Sequence, residues 1–89
     1  MNTELALPTI HSNGTSKDAL VTQLCDAGAA VNDAIRALAE ATPSGRDYYP
    51  QGPDALKRAM VQHEARMEAL RGVLNELQTL VERIDGGGV

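Results

Sequence analysis

The sequence predicts an all-α protein, an antiparallel helical hairpin that assembles into a symmetric helical bundle. The 89 residues include only two aromatic side chains, whereas strands favour aromatic and β-branched residues. Two long amphipathic stretches flank a short segment rich in proline and glycine, a pattern typical of paired helices. A chain of this length buries only about 60% of its unfolded surface, so a monomer is expected to be marginally stable.

The chain divides into an arm, a hairpin and a tail. Proline and glycine near the start disfavour helix in the arm, although its apolar residues predict that part of it packs on the body. The predicted boundaries are an N-terminal arm at residues 1–14, a hairpin domain at 15–85 with helices at 15–41 and 54–85 around a loop at 42–53, and a flexible tail at 86–89.

The first helix carries two apolar stripes that together cover roughly half of its circumference, more than the ~100° stripe of an ordinary surface helix. The first stripe comprises Leu20, Leu24, Ala27, Val31, Ala34, Ile35 and Leu38. The second is wholly alanine: Ala27, Ala30, Ala34, Ala37 and Ala41. One partner helix cannot cover so wide a face. The helix is expected to begin near Thr15 or Ser16 and to end before Pro43, because the residue before proline avoids the helical region.

The second helix carries the most regular pattern in the chain, a heptad repeat sustained over about four repeats. Its seam is Leu56, Met60, His63, Met67, Leu70, Leu74, Leu77, Val81 and Ile84, flanked by Ala59, Arg66, Val73 and Leu80. A helix of this length rises about 46 Å, so the two helices must pair lengthwise. The apolar flanks left uncovered by that pairing predict a homo-oligomer, closed as a symmetric dimer or a higher ring.

Composition excludes several classes of function. The formal charge is −4, and nonspecific DNA or RNA binding needs a basic face. No apolar run approaches the roughly 20 residues of a membrane span, and the start of the chain lacks the basic residues of a signal peptide. One cysteine and two histidines provide no zinc-ligand spacing. The sequence therefore predicts a cytoplasmic protein that is not an enzyme, with no metal site, cofactor, nucleic-acid partner or membrane partner.

The loop contains the first candidate binding residues: Arg46, Tyr48 and Tyr49. About twelve residues is long for a connection between helices in a bundle, and this loop holds both tyrosines. Tyrosine rings can stack on a base, and arginine can bind a phosphate. The structural alternative is that the tyrosines cap the hydrophobic core and that Arg46 pairs with Asp47.

His63 on the seam and Arg66 on its flank are the second set of candidates. Counting back from the loop places His63 opposite Asn32 and Asp33, and Arg66 near residues 29 and 30. A buried hydrogen bond from His63 would then fix the register of the two helices, as a single polar residue does in coiled coils. Alternatively, His63 and Arg66 join the loop residues, or those of a neighbouring copy, in a small anion pocket. No serine, cysteine or aspartate stands in an obvious relay with His63, so a nucleophilic triad is not expected.

Three strings of residues carry a resemblance to a family. They are Ile10-His11-x-Asn13-Gly14-Thr15-Ser16, Gly45-Arg46-Asp47-Tyr48-Tyr49-Pro50-Gln51-Gly52, and His63-Glu64-x-Arg66. In these strings the chain resembles small helical-hairpin proteins of proteobacterial phages and prophages, a family that implies a bacterial host cytoplasm but no activity. In architecture alone it is also similar to phage sponge proteins, symmetric assemblies that sequester nucleotide signals of host immunity.

Two functions follow as expectations. In the first, the protein binds a small nucleotide-like anion without catalysis, in a pocket at an oligomer interface formed by Arg46, Tyr48, Tyr49, His63 and Arg66. This function would oppose host defence. In the second, the protein is a structural or protein-interaction module, such as an accessory protein of the virion or an inhibitor of a host protein. The oversized apolar face motivates this second function.

Overall fold

The computed structural model describes residues 4–86, and within that range it contains helices and turns but no strand. The helices are α1 (Lys17–Glu40), α2 (Gly45–Tyr48) and α3 (Ala55–Asp85), with a 3-10 turn at Tyr49–Gln51. The prediction of an all-α protein is confirmed. Apart from Gly86, the tail predicted at residues 86–89 lies outside the described residues.

The ends of α1 follow from local hydrogen bonds. The Ser16 side chain accepts a hydrogen bond from the Ala19 amide at 3.1 Å, so Ser16 is the N-cap. At the other end the Ala41 amide donates to the carbonyl of Leu38 at 2.9 Å, and the Thr42 amide to that of Ala39 at 3.3 Å. These tighter bonds close the last turn immediately before Pro43, as the sequence predicts.

Both ends of α3 depend on glycine. Before the helix, Gly52 has φ 106°, a left-handed conformation that other residues rarely adopt. After the helix, the Gly86 amide donates to the Glu82 carbonyl at 2.8 Å. A Cβ at Gly86 would lie only 2.8 Å from that same oxygen, so glycine is required there by close approach rather than by φ.

The two long helices pack antiparallel along their length, but in a different register from the predicted one. A Cβ at Gly28 would contact the Leu74 side chain at 3.7 Å, and Thr42, just after α1, contacts His63. The first two turns of α3 therefore extend beyond the end of α1. They pack instead on α2, where a Cβ at Gly45 would lie 3.7 Å from a methyl group of Leu56. The loop region is folded, and it packs along the first two turns of α3. Counting residues back from the loop wrongly placed those turns against α1.

The buried stripe of α3 shifts where this packing changes. It comprises Ala55, Ala59, His63, Met67 and Ile84, the only buried residues in the described chain. The first four are spaced by four residues each, so they rotate away from the heptad seam predicted there. Ala59 is buried, whereas Met60, which the heptad placed on the seam, is 42% exposed. We attribute the shift to α2, which covers the first turns of α3 from a different direction than α1.

The single chain is a rod with an incomplete core. Its extents are 61 × 27 × 19 Å, and its radius of gyration is 18.4 Å, compared with about 12 Å for a compact domain of this length. No residue of α1 is buried, and every member of its alanine stripe is exposed. The two long helices, together with α2 and the 3-10 turn, therefore leave much of the apolar surface in contact with water.

Candidate functional site

His63 lies at the base of the loop and is the one buried polar side chain of the described residues, with 6% of its surface exposed. Its Nε2 atom lies 3.2 Å from the Thr42 hydroxyl. The predicted neighbours were Asn32 and Asp33, and this prediction is wrong because the folded loop shifts the register. His63 instead connects α3 to the residue that follows α1.

The geometry at Thr42 assigns the proton on His63. The Thr42 hydroxyl donates its single proton to the Ala39 carbonyl, at 2.5 Å. It must therefore accept from Nε2, so Nε2 carries a hydrogen. No buried side-chain nitrogen or oxygen of the described residues lacks a hydrogen-bond partner. The other ring nitrogen of His63 has no such partner among the described residues, so it is not buried and water reaches it. This arrangement fixes the end of α1 against α3.

The loop residues Arg46, Tyr48 and Tyr49 are held by α2 and the turn that follows it. The Ser44 side chain accepts from the Arg46 amide at 3.3 Å and caps α2. Tyr48 is half-buried, whereas Tyr49 is 77% exposed. Arg46 is exposed and makes no ion pair with any described residue, including Asp47. Only Tyr48 is thus placed to help cover the core, and Arg46 and Tyr49 face water.

Arg66 is exposed on α3, and the observed register carries it past residues 29 and 30 toward the end of α1. The five predicted binding residues therefore do not line a common pocket within one chain. Arg46, Tyr48 and Tyr49 are neighbours along the loop. His63 lies at the base of the loop, with its Nε2 atom hydrogen-bonded to Thr42. Arg66 lies three residues further along α3.

A groove of about 360 Å³ lies between α1 and α3, and the apolar periodicity of the sequence does not predict it. It is lined by Leu24, Cys25, Gly28, Ala29, Asn32, Leu74, Gln78 and Val81. The signal in the sequence is the pair of small residues Gly28 and Ala29, which leave space between two helices. None of its lining residues is charged, so it does not provide the cation that an anion requires.

A shallow depression of about 260 Å³ lies on the early turns of α3, close to the loop. It is lined by Lys57, Arg58, Val61 and Gln62. Neither cation makes an ion pair with a described residue, and both lie near the N-terminus of α3, where the helix dipole is positive. Together with Arg46 they make the loop end the cationic end of the rod.

Arg71, further along α3, by contrast forms ion pairs within α3. Its guanidinium donates to Glu64 at 3.1 Å and to Glu68 at 2.5 Å. These hydrogen bonds, that to Glu64 first, raise the pKa of Arg71 above its usual value. This network pairs Arg71 with Glu64 and Glu68, so Arg71 is not available to bind an anion.

None of the known protein families, curated proteins or solved structures with which the chain was compared matches it. The resemblance to phage proteins stays a prediction. None of the helices formed by residues 17–85 is long and apolar enough to cross a membrane. Across residues 4–86 there is also no cluster of histidine, cysteine, aspartate and glutamate that could hold a metal ion.

Proposed function

We propose that this protein is a non-catalytic association module, a helical hairpin that works as a homo-oligomer by burying its exposed apolar face. The excess of exposed surface carries this proposal. The chain exposes 6532 Å², whereas a compact monomer of 9.4 kDa exposes about 5,000 Å². The excess is about 1,500 Å² per chain.

That excess is large enough for a permanent interface. If two copies each bury about 1,500 Å², the interface totals about 3,000 Å², within the range of roughly 2,000–5,000 Å² found for obligate complexes. Crystal-packing contacts are mostly smaller than about 800 Å². This size supports the proposal that a second copy covers the exposed apolar face.

The composition of the exposed face favours helix packing. The alanine stripe of α1 is exposed along its length, and Val73 on α3 is 45% exposed. Alanine loses no side-chain entropy on burial, and its small size lets two helix backbones approach closely. The stripe carries no charge, so covering it removes no ion from water.

Sedimentation equilibrium at micromolar concentration tests the proposal. We expect the natural protein to sediment as an oligomer and Ala34→Glu, a charge within the stripe, to sediment as a monomer. The matched control is Ala29→Glu, which adds the same side chain to the same helix on its grooved side and should leave the oligomer intact. A natural protein that sediments as a single folded chain would overturn the proposal.

We propose as a second candidate function that the loop end binds a small nucleotide-like anion, in line with the resemblance to phage proteins that sequester signals of host immunity. Two features favour it: Arg46 makes no ion pair with any described residue, and Tyr49 is 77% exposed. Arginine binds phosphate with paired hydrogen bonds, and a tyrosine ring offers a stacking surface. Lys57 and Arg58 add positive charge nearby.

Isothermal titration calorimetry with cyclic dinucleotides and cyclic ADP-ribose variants tests this second function. Binding should be lost in Arg46→Ala and weakened in Tyr49→Ala. Arg36→Ala is the control, because Arg36 is an exposed arginine that already pairs with Asp33 at 3.8 Å. The absence of heat with every ligand, or equal losses in Arg46→Ala and Arg36→Ala, would count against the anion site.

A further inference from the structure

The two sides of the hairpin are distinguished by a simple rule of position. Residues that directly follow a seam residue lie on one side of the seam, and residues that directly precede one lie on the other, because each step rotates about 100° around the helix. In an antiparallel pair of helices, the residues that follow seam residues lie on the same side of the hairpin in both helices. We call the first side the front face and the second the back face.

The groove identifies the front face. Its residues Cys25 and Ala29 directly follow the seam residues Leu24 and Gly28, and Gln78 follows Leu77. The back face therefore comprises residues of both helices that precede seam residues. On α1 they are Gln23, Ala27, Ala30, Ala34 and Ala37, continued by Ala41, and on the central part of α3 they are Gln62, Arg66, Ala69, Val73, Glu76 and Leu80.

The back face of α1 is arranged symmetrically along the sequence. Ala27 and Ala41 lie seven residues on either side of Ala34, and Ala30 and Ala37 lie four and three residues away. Two copies of this stripe laid antiparallel, with Ala34 of each copy in the middle, place Ala27 opposite Ala41 and bring Ala30 to within one residue of Ala37.

The back face of α3 is arranged symmetrically about a second point, near position 71. Ala69 and Val73 lie two residues on either side of that position, and Arg66 and Glu76 lie five residues on either side. Two antiparallel copies centred there would place Ala69 against Val73. They would also place Arg66 of each copy within reach of Glu76 of the other, a pair of opposite charges.

The register within one chain brings these two points to the same level of the hairpin. The contacts of Gly28 with Leu74 and of Thr42 with His63 place Ala34 level with positions 68 to 71 of α3. A two-fold axis that lies across both helices must cross them at a single level. The alanine spacing and the α3 spacing each give one symmetry point, and the helix register places the two points at about the same level.

We infer that the partner is a second copy of this chain, bound back face to back face about a two-fold axis that crosses α1 at Ala34 and α3 near position 71. The axis pairs α1 with α1 and α3 with α3, each antiparallel, in a four-helix bundle. This inference rests on the proposed association function and adds its geometry. Arg66, which is exposed and makes no ion pair with any described residue of its own chain, gains Glu76 of the other copy.

The remaining charges near this interface lie at its rim. Arg58 and Arg83 precede the buried residues Ala59 and Ile84, and both are exposed. The axis brings Arg58 of one copy toward Arg83 of the other, where solvent and salt screen the repulsion. Salt also screens the attraction between Arg66 and Glu76, so these two effects of salt on the dimer oppose each other.

Cysteine cross-linking tests the position of the axis. In a Cys25→Ser background, Ala34→Cys should form a disulfide with itself under mild oxidation, because only a residue at the axis meets its own copy within the roughly 4.4–6.8 Å between Cα atoms that a disulfide needs. Ala27→Cys is the control. Its two copies are separated by about 21 Å along the helix, so it should link only when mixed with Ala41→Cys.

A charge reversal tests the ion pair. Arg66→Glu and Glu76→Arg should each weaken the dimer about tenfold, and the double variant should restore it to within about threefold, as expected for opposite charges that meet at an interface. If the protein dimerises but Ala34→Cys does not link and the double variant shows no recovery, the axis is wrong while the association function stands. If the natural protein is monomeric, the association function itself fails.

Discussion

The loop end of the rod and its middle differ in a way that the sequence pattern does not suggest. Four of the five buried residues of the described chain lie near the loop, between Ala55 and Met67. The middle of the seam, from Leu70 to Val81, carries the most regular heptad, yet none of its residues is buried. The difference is a third helical element: α2 and the turn cover the loop end, whereas no helix other than α1 packs on the middle of α3 within residues 17–85. Two helices alone cannot bury each other.

The two methionines of the seam give the largest test of this comparison. Met67 is 7% exposed and Met60 is 42% exposed, although the heptad treats them alike. We expect Met67→Ala to cost about 2–4 kcal/mol of unfolding free energy and Met60→Ala less than half of that. Urea unfolding of both variants measures the difference. Equal losses would show that the stripe does not shift at α2.

The hydrogen bond between His63 and Thr42 gives the next largest effect. Thr42→Val keeps the size of the side chain but removes the acceptor of the Nε2 proton, which should cost about 1–2 kcal/mol. His63→Leu leaves the Thr42 hydroxyl bonded to Ala39 and should be nearly neutral. The double variant should recover about 1 kcal/mol relative to the sum of the single changes. A double-mutant cycle by chemical denaturation with no coupling would mean that the bond does not hold the loop end.

Two glycines should respond to alanine with opposite signs. Gly52→Ala places a side chain at φ 106° and should cost about 1 kcal/mol through backbone strain. Gly72→Ala lies inside α3, where a Cβ meets nothing within 4 Å, and should stabilise the helix by about 0.5–1 kcal/mol. Thermal melting at one fixed protein concentration distinguishes them. A neutral Gly52→Ala would indicate that the turn before α3 is not held in this conformation.

The exposed network of Arg71 should give the smallest effect. Arg71→Gln removes hydrogen bonds to Glu64 and Glu68, but exposed ion pairs contribute little because water and salt screen them. We expect a shift in the melting temperature smaller than that of any variant above, and no shift at molar salt. A large shift that persists at high salt would reveal a role for Arg71 in packing.

The helices themselves are predictable from sequence because their signals are local. The apolar periodicity indicates both long helices, and Pro43 and Gly86 mark their ends. The register is not predictable in this way, because it depends on how much length the loop occupies. One local signal in the loop was available: Ser44 followed by Asp47 at the third position is a pattern that often begins a helix, and Ser44 does cap α2.

The candidate site was harder to predict than the fold. The types of residue in the loop indicate chemistry, but periodicity says nothing about which loop side chains point toward water. The structure exposes Arg46 and Tyr49 and half-buries Tyr48. His63 was recognised as exceptional on an apolar seam, but its partner depends on the register and therefore could not be identified. The back face was visible in the sequence as uncovered apolar surface, whereas its symmetry emerges only when the register is known.

The alanine stripe lies toward the C-terminal half of α1, and this offset has a consequence for stoichiometry. Because the midpoint of the stripe is not the midpoint of the helix, two antiparallel copies overlap in a staggered way. The first turns of each α1 then extend toward the loop of the other copy. Such a dimer has two equivalent loop ends far apart rather than one central cleft. A ligand held by Arg46 and Tyr49 would therefore saturate at two molecules per dimer.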